Sequence, residues 1–227
     1  MTLVLLPGLA CDADMWREQL RALARWNPIV TDVHTRYGSI EEMGAALLAR
    51  HHGPLVLCGA SLGGIVAMEV VRQAPHRIRG LALLGTTARP EDGASGAARD
   101  KAIALFEHGD AASLIAPNAA AAFHAVDGAL LKRYLDAVLH AGAKQLARQN
   151  RAVLARRDAR LHLPSVRCPT LVVCGEDDQL TPPVLSREIA GLVPGAQLVL
   201  VPRCGHMLTM EQPAAVNAAL SGWLEKI

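Results

Sequence analysis

Six short apolar runs, spread along the chain and each closed by a turn residue, constrain the fold more than any other feature. They are Leu3–Leu6, Ile29–Val33, Leu55–Cys58, Leu81–Leu84, Leu171–Cys174 and Leu198–Val201. Each has the length of a strand, and none alternates cleanly between apolar and polar residues. Strands covered by helices on both faces of a parallel sheet read this way. Helical patterns stand between the runs. "DADMWREQLRALARW" sets Met15, Leu20 and Leu23 near helical spacing, with Asp12 or Asp14 available as an N-cap. "IEEMGAALLARHHG" reaches a helix stop at Gly53, and "GGIVAMEVVRQAP" stops before Pro75. "TPPVLSREIAGLVPG" and "QPAAVNAALSGWLEKI" repeat the pattern. The alternation predicts an α/β fold, with a mostly parallel sheet of about six strands and helices on both faces.

One region breaks the rhythm. From about Arg89 to Leu163 no strand-like run occurs, and the sequence is Ala-rich and helical in pattern. We therefore expect a core built from residues 1–90 and 164–227, with residues 91–163 inserted as a helical lid; a group of extra packing helices is the plainer alternative. A length of 227 residues with 51% apolar content suits one core. Aromatics at 3% and a formal charge of +2 give no reason to expect nucleic acid or a membrane surface as partner. The five cysteines, Cys11, Cys58, Cys168, Cys174 and Cys204, are odd in number and lack CxxC spacing. Neither a disulfide framework nor a metal site is expected, and free thiols fit a reducing cytoplasmic setting. The opening "MTLVLLPG" lacks the basic start of a signal peptide, and no stretch approaches the ~18 apolar residues of a membrane span.

The third run leads into "GASLGG", so Ser61 sits between Gly59 and Gly63 at a strand-to-helix junction. A serine there must ride a tight, strained turn to lift its oxygen clear of the sheet, and the helix that follows turns N–H groups toward developing negative charge. A phosphate loop would need a lysine followed by Ser or Thr after its glycines, and a dinucleotide fingerprint would open near the first strand; neither pattern is present. A serine hydroxyl is a weak nucleophile until a base takes its proton and an acid orients the base. Of nine histidines, His206 follows the last apolar run, in "VLVPRCGHMLTMEQP", with Gly205 permitting a turn. His51 and His52 end a helix, and His34, after the second run, is expected to be a loop residue. "LVVCGEDDQLTPP" supplies Glu176, Asp177 and Asp178 directly after the fifth run, which gives the chain order Ser, Asp, His.

These stretches make the chain similar to the α/β-hydrolase superfamily, in particular its compact esterases and enol-lactonases. The resemblance spans nearly the whole chain: "LLPGLACDADMW" as oxyanion loop, "GASLGG" as nucleophile turn, "GEDDQLTP" as acid loop and "CGHMLTMEQP" as base loop. It implies the α/β-hydrolase fold with Ser61, Asp178 and His206 as catalytic residues. Asp177 would be engaged in loop hydrogen bonds, and Glu91 or Asp92 would be the fallback acid. It also implies an oxyanion hole from the N–H groups of Leu9 and Leu62, one such donor contributing ~3 kcal/mol to barrier lowering. Trp16 matches a recurring aromatic and is expected to pack. Where many relatives have His-Gly this chain has Pro7-Gly8, and it starts at the third of the usual eight strands.

The expected lid offers Leu105, Phe106, Leu114, Ile115, Phe123, Leu131, Tyr134, Leu135 and Leu139, of which Phe106, Phe123 and Tyr134 are the candidate substrate-binding residues. Its later part is basic, and Lys144, Arg148 and Arg151 share a helical face. That face is a solvated surface or a dock for an anionic substrate end or an acidic acyl-carrier-type partner. The expected activity is cofactor-free hydrolysis of a small-molecule carboxylic ester or lactone through an acyl-enzyme. Carbon–carbon bond hydrolysis, perhydrolysis on the same site, and a ligand-sensing protein on a hydrolase scaffold are the alternatives.

Overall fold

The computed structural model describes residues 1–109, 115, 117, 119–125 and 127–227. Its strands are β1 (Thr2–Leu6), β2 (Ile29–Val30), β3 (Leu55–Ala60), β4 (Ile78–Leu84), β5 (Thr170–Gly175) and β6 (Gln197–Val201). They form one sheet in the order β2-β1-β3-β4-β5-β6, with every pairing parallel. All six apolar runs contribute a strand. The helices are α1 (Arg17–Ala22), α2 (Val33–Arg36), α3 (Ile40–Arg50), α4 (Leu62–Gln73), α5 (Gly93–Glu107), α6 (Gly128–Leu154), α7 (Pro183–Leu192), α8 (Leu208–Glu211) and α9 (Pro213–Leu224).

The uninterrupted hydrophobicity of the central runs has a direct cause. Successive strand residues point to opposite faces, and both faces are cores. Val4, Leu6, Leu55, Leu57, Leu81 and Leu83 pack on one side with Met43, Leu47 and Met68 of α3 and α4. Leu3, Leu5, Val56, Cys58, Ala82 and Leu84 pack on the other with Trp16, Leu220 and Trp223. Trp16 is completely buried, as a packing residue should be. A third apolar cluster joins Ala10 to Ile103, Phe106, Val138, Leu146 and Ala147 of the helical segment between β4 and β5.

Local boundaries follow side-chain chemistry. The second run gives a strand of only two residues, because the chain turns at Asp32 into α2: Thr35 donates both its N–H and its hydroxyl to the Asp32 carbonyl. As an edge strand, β2 needs a partner on one side only. Helix α3 starts at a reciprocal capping box between Ser39 and Glu42 and ends at Arg50, with His51 already extended, three residues before Gly53. Helix α6 carries a non-helical residue at Gly142 (φ 76°, ψ 159°), which divides it in two. All five cysteines are free. Among the described residues no helix is long and apolar enough to cross a membrane.

The topology chooses one rim of the sheet. The chain leaves β1 toward β2 on one side and returns to β3 on the other, so the strand order reverses beside β1. In open α/β sheets, ligands bind beyond the carboxyl ends of the strands at such a reversal. The loop after β1 and the turn after β3 meet there.

Candidate active site

Ser61 is the first residue beyond β3 and the N-cap of α4. Its backbone is in a region L-residues rarely adopt (φ 51°, ψ −116°), a conformation that costs about 1–3 kcal/mol and persists only where the surroundings impose it. They do so through backbone. The Ser61 N–H donates to the Leu84 carbonyl at 2.9 Å, and the Ser61 carbonyl accepts from the Thr86 hydroxyl at 2.8 Å. The flanking glycines are steric requirements. A Cβ on Gly59 would lie 2.3 Å from the Gly63 carbonyl oxygen, and one on Gly63 would lie 2.0 Å from that of Leu6.

His206 comes from the loop after β6. Its Nε2 is 3.0 Å from Ser61 Oγ and its Nδ1 is 2.9 Å from Asp178 Oδ2. Asp178, in the loop after β5, is 3% exposed. Its Oδ1 accepts from the N–H groups of Leu180 (2.9 Å) and Thr181 (2.8 Å), and its Oδ2 also accepts from the Thr181 hydroxyl at 2.8 Å. Burial pushes the Asp178 pKa up, but the hydrogen bond and charge of His206, with the Thr181 donors, outweigh it and hold the carboxyl below its ordinary value. Asp177 does not spend its carboxylate within the loop as expected; it reaches out to His124 Nδ1 at 2.8 Å. Glu91 and Asp92 take other work: Glu91 pairs with Arg99 and Arg156, and Asp92 caps α5.

The loop after β1 faces Ser61. Three of its N–H groups are committed, Gly8 to Met15 Sδ (3.2 Å), Ala10 to Gln149 Oε1 (2.9 Å) and Cys11 to the Gly8 carbonyl (3.2 Å). Among the described residues no acceptor takes the Leu9 or Leu62 N–H, and both residues line the cavity at Ser61. Ala10 holds a left-handed conformation (φ 58°). Gln149, fully buried on α6, fixes it from 139 positions away, donating its Nε2 to the His34 carbonyl at 2.9 Å as well. His34 is not a loop residue: it lies buried in α2, with Nε2 2.8 Å from the Cys11 carbonyl. Burial drives its pKa down. A carbonyl can only accept, so the neutral ring carries its proton on Nε2.

Sequence reasoning missed Gln149, which reads as an ordinary helix residue, and Glu211. The Glu211 carboxylate accepts from the N–H groups of Gly205 (2.6 Å), His124 (2.7 Å) and Ala125 (3.1 Å), so it ties the His206 loop to the neighbouring segment. Its only sequence signal is its place in "MEQP" beside the histidine. Thr181 lay in the quoted acid loop without a role.

A cavity of about 490 Å³ opens over Ser61 and His206. Phe106, Ile115 and Tyr134 line it. Phe123 does not; it stands behind Tyr134, edge to face at 5.7 Å, in the core. Leu114 lies outside the described residues. The expected basic face is largely engaged within the chain: the Arg148 guanidinium donates to the Thr35 carbonyl and Arg151 pairs with Glu107, while Lys144 is exposed. Among the described residues no group of three or more His, Cys, Asp or Glu side chains is placed to hold a metal ion.

Comparison with known proteins agrees with this architecture. The chain is 30% identical to a pimeloyl-[acyl-carrier protein] methyl ester esterase of Aromatoleum aromaticum, over 93% of each chain. It is also 28% identical to part of the polyketide synthase ThaQ of Burkholderia thailandensis, of whose length it spans only 12%. A thermophilic esterase from Thermogutta terrifontis, solved with malate bound, superposes with a TM-score of 0.89 at 27% identity, covering 100% of this chain and 90% of that one. An enol-lactonase from Burkholderia xenovorans shares the fold, with a TM-score of 0.87 at 23% identity over 99% and 91% of the two chains. Residues 3–219 match the family described as "Alpha/beta hydrolase family", and the chain belongs to that family.

Proposed function

We propose that the protein hydrolyses carboxylic esters or lactones through an acyl-enzyme on Ser61. The observation that carries this reading is the unbroken line of hydrogen bonds Asp178–His206–Ser61, at 2.9 and 3.0 Å, ending at the floor of the cavity. Asp178 can only accept, so it keeps the His206 proton on Nδ1 and leaves Nε2 free to take the Ser61 proton as Oγ attacks the carbonyl. The carbonyl oxygen, now negative, lies against the N–H groups of Leu9 and Leu62. Collapse expels the alcohol, which takes the proton from His206. A water, deprotonated in turn by His206, then releases the acid. A lactone follows the same course, with the alcohol and acid leaving as one molecule.

The esterases among the relatives support the same reaction class. Because Arg148 and Arg151 are spent inside the chain, the basic face gives little support for an acyl-carrier-type partner, and a small-molecule ester or lactone is the substrate class we favour. Phe106, Tyr134, Val138 and Leu146 of the segment 91–163 line the cavity, and on this reading the segment is its lid.

The test is a panel of nitrophenyl esters of rising acyl length, with lactones alongside, assayed on wild type and Ser61→Ala. Turnover in the variant falls at least ~10³-fold while the melting temperature holds. A fluorophosphonate probe phosphonylates Ser61 Oγ with loss of HF, and the corresponding mass increase appears in wild type only. Near-normal turnover in Ser61→Ala overturns the proposal.

A further inference from the structure

The wall of the cavity contributed by the residues after β4 and by the end of α6 is not apolar. It carries Glu91, Arg99, Asn150 and Arg156. Arg156, with 6% of its side chain exposed, donates Nε to the Arg89 carbonyl (2.8 Å) and Nη1 to the Val153 carbonyl (2.8 Å) and to Glu91. Arg99 donates Nε to the same Glu91 oxygen (3.1 Å) and Nη1 to Asn150 Oδ1 (2.6 Å). Two guanidinium groups thus share one carboxylate, and among the described residues neither Nη2 has an acceptor.

Two further charge groups stand at this wall. Arg89 also lines the cavity and is neutralised by its pair with Glu188, while Asp92 caps α5 and, being exposed at the rim, attracts Arg156 only through solvent-screened charge. Burial pulls the Arg156 pKa below its ordinary value even with Glu91 beside it. A cation held nine-tenths buried is costly unless an anion balances it. Two guanidinium groups that line one cavity, each with an Nη2 that no described residue accepts from, suit a carboxylate, which guanidinium forks bind in a planar, two-point manner.

We propose that the Ser61 cavity takes an ester or lactone bearing a second, carboxylate group, bound by Arg99 and Arg156. This rests on the reading of Ser61 as the nucleophile and narrows its substrate class. The carboxylate belongs either to the acyl part or to the alcohol part of the substrate.

The experiment compares each acid with its neutral isostere. One arm uses monomethyl esters of dicarboxylic acids of four to eight carbons against the same esters with the free acid converted to a carboxamide. The other uses acetate esters of ω-hydroxy acids against their carboxamides. Wild type should favour the acid in one arm by about tenfold or more in kcat/KM. In Arg99→Gln that ratio should fall toward one, as it should in Arg156→Gln if that variant folds. The arm that shows the preference identifies which side carries the charge. Hydrolysis of acid and amide at equal rates in both arms, or a ratio unchanged by Arg99→Gln, overturns the subsite and leaves the hydrolase reading standing. Failure to hydrolyse any ester instead overturns the hydrolase reading. The subsite is then decided by calorimetry with the dicarboxylic acids alone: binding to wild type that weakens in Arg99→Gln supports it, and no binding overturns it.

Discussion

The rim of the sheet and the described residues of the segment 91–163 are built by different means. At the rim, backbone fixes the chemistry. Gly59 and Gly63 let two strands and a helix approach until no Cβ fits, Ser61 is locked at positive φ, and Asp178 is aimed by two N–H groups. The described part of the helical segment is attached largely by side chains, through a modest apolar cluster around Phe106 and Leu146, the Arg99–Glu91–Arg156 group and Gln149, beside two backbone bonds, from Met207 to the Ala122 carbonyl and from Ala159 to the Ala88 carbonyl. Helix α6 repeats the contrast internally. Beyond Gly142 it buries Leu146, Ala147, Gln149, Asn150, Ala152 and Val153, and before Gly142 it buries only Val138. A rim fixed by backbone contact leaves few substitutions open, whereas a segment held by side chains leaves more.

The largest effect expected from breaking the rim is that of Asp178→Asn. An amide in place of the carboxylate can donate to His206 and so favours the wrong tautomer; turnover should fall by about 10³–10⁴-fold in an otherwise folded protein. The same substitution has a pH signature. The folded Asp178 pKa lies below its ordinary value, so its charge stabilises the fold above the unfolded-state pKa of about 3.9. That contribution disappears as pH falls through the lower, folded value. Urea midpoints of wild type and Asp178→Asn should therefore stay a constant distance apart at neutral pH and converge only below about pH 4. Convergence already between pH 7 and 5 would contradict the assignment of an ionised, donor-rich carboxylate.

Gln149→Leu should give the next largest effect, because Gln149 hydrogen-bonds α6 to the loop after β1 and to α2. The substitution leaves the Ala10 N–H and the His34 carbonyl buried without partners, at about 1–3 kcal/mol each. With Ala10 no longer held at positive φ, the adjacent Leu9 N–H loses its aim. We expect kcat to fall about 10–100-fold with little change in KM, since the oxyanion forms only after the substrate is bound. Gln149→Glu keeps the acceptor for Ala10 and, with burial favouring the neutral acid, keeps an O–H donor for the His34 carbonyl, so its kcat should lie between the two. A rise in KM with kcat unchanged would make Gln149 a packing residue of the roof instead.

The same division explains what could be read from sequence. The strands were legible because both faces of the sheet are cores, and Leu3 to Leu6 or Leu81 to Leu84 can carry no polar residue. Gly59, Ser61 and Gly63 were legible because backbone contact leaves one choice of residue at each glycine. His206 and the acidic trio Glu176, Asp177 and Asp178 followed from chain order and their places after β5 and β6, and the family resemblance picked Asp178 from the three. Gln149 was hidden because its partners are backbone atoms 139 and 115 residues away, and such atoms leave no mark on their own residue type. The basic pattern of 132–160 was visible, but not which cations turn inward: Arg148 and Arg156 do, while Lys144 stays exposed. Phe106 and Phe123 have the same composition signal, and only packing decides that one lines the cavity and the other supports Tyr134.

The smallest effect tests the outer surface of the roof. Lys132 and Asp136 stand one helical turn apart on the first half of α6, with Nζ and Oδ2 2.6 Å apart and side chains 74% and 62% exposed. The spacing is right for attraction, but the dielectric is that of water, and fixing a long lysine side chain opposes the gain. Lys132→Ala should therefore change stability by less than about 0.5 kcal/mol, a shift at the edge of what urea unfolding resolves. The substitution touches neither the cavity nor Gln149, so kcat/KM on a neutral small ester should be that of wild type at any salt concentration. An activity loss from Lys132→Ala that grows as salt is lowered would mean that this exposed face takes part in substrate or partner capture. The proposed separation, in which the inner surface selects and the outer surface only dissolves, would then have to be abandoned.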